Sequence, residues 1–212
     1  MRKYVIMGVQ GCGKGTQAKL LADEFNLVHI SVGDLFRDHI RNRTKTAAKV
    51  KRIMDAGQLV PDEIVIDMVQ KRLDDHDWNI GFILDGFPRN TPQAQCLLES
   101  YDIDAVILID VPDQVVLDRI MARRLCGVCG SDTNLLFNPP QVEGKCDKCG
   151  GELKARADDN EEAIRGRLND YHSQTEPVLE MLGKKERIVK VDGTKTPAEV
   201  QQAIRTELGL TT

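Results

Sequence analysis

The stretch GVQGCGKGT, residues 8–16, packs four glycines, a lysine and a threonine into nine positions. Glycine loses more backbone freedom on ordering than any other residue, so a run this rich must be stabilised by something it holds. It follows the apolar run Tyr4–Met7 and precedes Ala18, Leu21, Ala22 and Phe25 at helical spacing. From Gly8 to Lys14 the spacing is G-x-x-x-x-G-K, that of a phosphate-binding loop. In such a loop the backbone N–H groups converge on an anion at the positive end of the next helix, and Lys14 reaches the outer phosphates of a nucleoside triphosphate. A tight strand-to-helix turn is the plainer alternative. The general pattern puts Ser or Thr directly after the lysine, whereas here Gly15 intervenes and the hydroxyl belongs to Thr16.

Four more short apolar runs follow: Val28–Ile30, Phe82–Leu84, Ala105–Ile109 and Ile188–Val191. Continuous apolar strands separated by helical patterns imply a parallel five-stranded sheet covered on both faces. The fold class is therefore α/β, of the P-loop NTPase type. Residues 31–60 break the alternation with polar helical sequence, and residues 126–157 with cysteines, glycines and Asn138-Pro139-Pro140. Both read as appendages to a core built from 1–30, 60–121 and 160–212, the second appendage spanning 122–159.

The net charge of −4 and 4% aromatic content argue against a nucleic-acid surface. No apolar run approaches the roughly 18 residues that span a bilayer, and the N-terminal MRKYVIMGVQG does not read as a signal peptide. A cytosolic monomer is expected. Four of the six cysteines, Cys126, Cys129, Cys146 and Cys149, fall as C-x2-C-x16-C-x2-C, a zinc pattern. Two disulfides, or iron in place of zinc, are the alternatives. Four thiolates close the metal's coordination, which assigns it a structural role.

Asp85 ends the run GFILD, where a carboxylate can order magnesium or cap a turn. Arg37 and Arg89 each sit near a predicted strand end, the ligand-binding edge of parallel sheets. Arg119 and Arg123, four apart on one helical stretch, are expected to share a face. Arg156 precedes an expected helix N-cap at Asp158 or Asp159, and Arg167 lies on that helix. Phosphoryl transfer rests on positioning and charge neutralisation. A monophosphate acceptor, with a second pKa of about 6, needs no general base. Accordingly no His/Asp pair stands out, and the four histidines read as structural.

Together GVQGCGKGTQA, HISVGDLFR, GQLVPDEIV, GFILDGFPRNTPQAQ, DRIMARRL, FNPPQVEG and ARADDNEEAIRGRL resemble, in order, the motifs of the long-lid adenylate kinases. In that family glycine and then threonine follow the lysine, as here. The resemblance implies magnesium-dependent, reversible conversion of ATP and AMP into two ADP, with 31–60 binding the monophosphate and 122–159 forming the lid. It implies that Gly11, Cys12, Gly13, Lys14, Gly15 and Thr16 hold the ATP phosphates. Arg119 and the backbone at Lys195 would lie near the ATP base. Arg37 and Arg89 would grip the AMP phosphate, and Gly86 and Gln93 would line the AMP base site. Arg123, Arg156 and Arg167 would close on the transferring phosphates, with Asp85 serving magnesium. Val9-Gln10 stands where the family tends to have alanine and proline. Val32 stands where it has threonine, next to the AMP base. A kinase of UMP or GMP, a zinc-ribbon ATPase and a non-catalytic nucleotide-binding module are the competing readings.

Overall fold

Apolar runs bounded by turn residues form the central strands β1 (Lys3–Met7), β2 (Val28–Ser31), β3 (Phe82–Asp85), β4 (Ala105–Asp110) and β8 (Ile188–Asp192). The computed structural model describes residues 2–42, 47–55, 60–77, 79–156 and 159–210. All five strands pair in parallel, in the order β2-β3-β1-β4-β8. Each lies within one residue of its predicted run at either end. Residues alternate across the sheet, and both faces are covered. Tyr4 and Ile6 of β1 join Ile83, Ile107 and Val189 in one core, against Leu21, Ile164 and Ile204 from the helices. Val5 and Met7 join Leu84 and Val106 in the other, against Val69, Leu97 and Leu182.

The helices packed on that sheet include α1 (Lys14–Phe25), α5 (Thr91–Ser100), α6 (Asp113–Met121), α7 (Glu161–Asp170), α8 (Glu176–Leu182) and α9 (Pro197–Leu208). Between β2 and β3 lie α2 (Val32–Arg41), α3 (Ala47–Asp55) and α4 (Asp62–Asp74). Residues 57–59 of the GQLVPDEIV motif lie outside the described residues. Between α7 and α8 the chain widens into a π-helical turn, Tyr171–Thr175, where the Glu176 N–H donates to the Tyr171 carbonyl.

After α6 comes a second, small antiparallel sheet in which β5 (Arg123–Cys126) runs between β6 (Asp132–Asn134) and β7 (Leu153–Lys154). It corrects one expectation. Arg119 and Arg123 do not share a helix face, because α6 stops at Met121 and Arg123 begins β5. Asn134 Nδ2 donates to the Arg119 carbonyl (2.9 Å) and the Leu135 N–H to the Ala122 carbonyl (2.9 Å). Sheet partners thus take the carbonyls that another helical turn would use. A second correction concerns α7. Its N-cap is Asn160, whose Oδ1 accepts from the Ala163 N–H at 2.8 Å. Asp159 is committed to an arginine instead, and Asp158 lies outside the described residues.

Candidate active site

The loops leaving β1, β2 and β3 lie side by side because those strands are neighbours, and they leave at the carboxyl edge where parallel sheets bind ligands. The first holds the glycines. Gly8 has φ 139°, and a Cβ there would fall 2.4 Å from the Ile109 carbonyl oxygen. Gly13 caps α1 with φ 106°, a left-handed conformation that any side chain would strain. Lys14, the first residue of α1, curls back over this loop. Its ammonium donates to the carbonyls of Gly8 (2.7 Å) and Val9 (2.9 Å). A single cation therefore sits at the loop's centre, between backbone acceptors and the helix's positive end. Gly11 packs on Ile120, and Thr16 is exposed in the first turn. Cys12 is buried; burial pushes its thiol up, against the pull of Lys14, so it stays a neutral filler at ordinary pH.

Asp85 ends β3 nearly buried, its Oδ2 3.5 Å from where a Cβ on Gly15 would stand. Its carboxylate thus faces the loop. The same oxygen lies 3.4 Å from His29 Nε2. No sequence signal pointed to this pair, because the residues are 56 apart. The β2–β3 register sets Ser31 opposite Asp85 and brings His29 diagonally beside it.

Beyond β3, Arg89 is pinned at three places. Its N–H donates to Gln93 Oε1 (2.9 Å), its Nε to the Gly86 carbonyl (2.9 Å), and its carbonyl accepts from Thr175 Oγ1 (2.7 Å). Burial lowers its pKa, Asp85 opposes that, and the charges of Arg167 and Arg37 press it down further. The guanidinium groups of Arg167 and Arg37 therefore both lie within electrostatic reach of Arg89. Arg37 is held by the Asp34 carboxylate on the same helix. Val32, buried at the start of α2, packs beside Gly86. Gln93 is 1% exposed, with Oε1 on the Arg89 N–H and Nε2 on Asp62 (2.7 Å). In this arrangement its amide faces the protein.

The remaining arginines of the predicted site come from α6, β5 and the segment around α7. Arg123 grips Asp159 through two bonds, Nε to Oδ2 at 2.9 Å and NH2 to Oδ1 at 2.6 Å. Arg167 lies 4.0 Å from the same carboxylate, which is 2% exposed. Arg167 also donates to Gln10 Oε1 (3.0 Å) and to the Met54 carbonyl (3.1 Å). Gln10, absent from the predicted site, thereby ties the phosphate loop to this arginine, a contact the proline usual at its position could not make. Arg156 is half-buried ahead of α7, and its carbonyl accepts from the Asp159 N–H. Arg119 reaches the carbonyls of Cys12 (3.3 Å) and Thr194 (3.4 Å) and lies 4.7 Å over the Phe137 ring. Lys195 is exposed beside Asp192, one residue from that Thr194 carbonyl.

The four cysteines, Cys126 at the end of β5 and Cys129, Cys146 and Cys149 in the turns beside the second sheet, are free thiols whose sulfurs all lie within 4.8 Å of one another. Cys126–Cys149 and Cys129–Cys146 are 3.5 and 3.6 Å apart. Four sulfurs at the usual zinc bond length of about 2.3 Å would be about 3.8 Å apart, so the cluster fits a tetrahedral ion. Two matching turns build it. The Gly130 N–H donates to the Cys126 carbonyl and the Gly150 N–H to the Cys146 carbonyl, each glycine with φ near 70°. Backbone N–H groups of Cys129 and Val128 lower Cys126 to about 6. Cys149 is pushed up to about 12 by the neighbouring sulfurs, although the Gly151 N–H pulls the other way. A divalent cation removes that conflict by stabilising every thiolate at once.

A glycine loop closed by Lys14 at the carboxyl edge of a five-stranded parallel sheet flanked by helices is the fold of a phosphate-loop kinase. Residues 6–187 match the family model described as adenylate kinase. Among curated proteins, the chain is 47% identical over 210 residues to an adenylate kinase of Desulforudis audaxviator, covering 97% of this chain and 98% of that one. It is 45% identical over 210 residues to one of Clostridium tetani, with 97% of both chains covered. To one of Methanocella arvoryzae it is 46% identical over 212 residues, covering 96% of this chain and 98% of that one. The chain belongs to the adenylate kinase family.

Proposed function

We propose that the chain moves the γ-phosphoryl group of ATP to AMP, giving two ADP, and runs equally in reverse. In the forward direction an AMP phosphate oxygen bonds to the γ-phosphorus as the bond from γ-phosphorus to the β-bridging oxygen breaks. No proton need leave the acceptor, whose second pKa is about 6. Lys14 and the loop N–H groups would hold the ATP phosphates, and Arg37 and Arg89 the AMP phosphate. Arg123, Arg156 and Arg167 would neutralise the charge spread between them. Magnesium bound with ATP would supply further neutralisation, with Asp85 the residue placed to hold it. Arg119 and the Thr194–Lys195 backbone would flank the ATP base.

One observation carries this reading: Arg167 contacts the phosphate loop at Gln10 and the α3 backbone at Met54 while pressing its charge on Arg89. A group so placed spans donor and acceptor sites. Residues 31–60 and 122–159 would close over the two nucleotides and exclude water, the competing acceptor. We assign zinc to the four cysteines as a structural ion. Thiolate ligation suits a reducing compartment, and we place the protein in the cytoplasm as a monomer.

The test is ADP formation from ATP with AMP, UMP, GMP or water alone. AMP should exceed every alternative by at least about 100-fold. Lys14→Met should lower kcat by about 100-fold or more, the scale of losing one preorganised charge from the transition state. Equal turnover of GMP or UMP would sink the AMP assignment.

A further inference from the structure

The Gln93 amide touches two groups whose chemistry leaves it one orientation. A backbone N–H has no lone pair to offer, so the side of Gln93 facing Arg89 must be its oxygen. Asp62 Oδ1 accepts on the other side, so the side of Gln93 facing it must be the NH2. The neighbouring Asn90 is fixed the same way: its Oδ1 accepts from the Gln93 N–H (3.1 Å) and its Nδ2 donates to the same Asp62 oxygen at 2.7 Å. One carboxylate oxygen, on the first residue of α4, thus receives two amides from the first turn of α5, 28 and 31 residues away. Asp62 suits that place, since an acidic residue is favoured at a helix N-terminus.

We infer that Asp62 is a specificity-determining positioning residue, one that, together with the Arg89 N–H, holds the Gln93 amide in the orientation that selects 6-amino over 6-oxo purine monophosphates. The inference rests on Gln93 facing the monophosphate base. An amide free to flip complements either purine. Oxygen and N–H can meet adenine's amino donor and ring-nitrogen acceptor; reversed, they meet the carbonyl acceptor and ring N–H donor of hypoxanthine or guanine. A flipping amide discriminates little. After Arg89 and Asp62 are served, Gln93 retains one N–H and one lone pair in a fixed order. Presented to the wrong purine, two donors or two acceptors oppose each other, and unpaired buried polar groups are what enzymes use to reject near-isosteres. Gln93 is 1% exposed, so the base would reach it only once the groups that cover it give way.

The experiment measures kcat/KM for AMP and for IMP in competition, a ratio independent of how much of a variant is folded. In the unaltered protein AMP should win by a wide margin. Asp62→Ala should cut that preference by about tenfold. Asp62→Ser, which keeps a good helix-starting residue but withdraws the reaching acceptor, should do the same and serves if the alanine variant does not fold. Asp62→Asn can still present an oxygen and should retain at least half the preference. Unchanged selectivity in Asp62→Ala and Asp62→Ser would overturn the inference, as would a loss in Asp62→Asn equal to that in Asp62→Ala. Lack of an AMP preference in the unaltered protein would be a different failure, that of the base-site reading itself.

Discussion

The two sheets of this molecule are stabilised by different physics. The five-stranded sheet is flanked on both faces by buried aliphatic side chains contributed by every strand and by most helices. Among the described residues, the buried apolar cluster of the three-stranded sheet consists of Cys126, Cys146 and Leu153. Its larger apolar residues, Val128, Leu136, Phe137 and Val142, are exposed. So small a core cannot offset the ordering entropy of the roughly thirty residues around it, at about 1–2 kcal/mol each. What remains is the four-sulfur cluster. A parallel sheet tolerates local damage because its stability is spread over many contacts. A sheet built around one sulfur cluster concentrates its stability in one place.

The largest test of that contrast is to remove the centre. Cys126→Ser with Cys149→Ser should abolish metal binding and with it a contribution on the order of 10 kcal/mol. Proteolysis should become rapid within 122–159 while the main calorimetric transition stays within a few degrees. Collapse of both regions together would break the distinction. The converse is Ile107→Ala, at a fully buried position of β4. A loss of about 2–5 kcal/mol is expected, lowering the main transition by roughly 10 °C, with metal content unchanged. Smallest is an effect at the rim of the large core. His172 meets Glu176 at 2.9 Å and Asp113 at 3.0 Å, and these bonds raise its pKa above the unfolded value near 6.5. Its contribution is therefore complete below about pH 6.5 and is lost as pH rises through the raised folded value. Solvent screening limits it to about 0.5 kcal/mol. Denaturant melts at pH 6 and pH 8, compared with His172→Gln, should show that difference and leave metal retention alike at the two values.

Legibility in the sequence followed the range of the interactions. The five strands were readable because burial on both faces forces continuous apolar runs, a local signal. The phosphate loop and the paired cysteine turns were readable because each places its functional atoms within a few residues of one another. Partnerships between distant residues were not. Arg123 looked helical from its spacing to Arg119, yet pairing with β6 makes it a strand residue. Asp159 looked like a helix cap, yet the bidentate hold of Arg123 claims it. His29 opens the HISVGDLFR motif, yet nothing local tied it to Asp85; only strand register sets the two together. Gln10 was visible as an oddity in the loop; its purpose emerged only with Arg167 beside it.

The sequence alone, then, determined the elements and the kinds of chemistry they carry: a phosphate cradle, a set of guanidinium groups and a tetrad of thiols. Tertiary structure decided which polar groups meet: Lys14 with its own loop carbonyls, Arg167 with Gln10 and Met54, and Gln93 with Asp62. The reason lies in the interactions themselves. Apolar burial is non-directional and writes itself into hydrophobic periodicity. A hydrogen bond requires two groups within a few tenths of an ångström and the right angle, and no local pattern encodes where another part of the chain will stand.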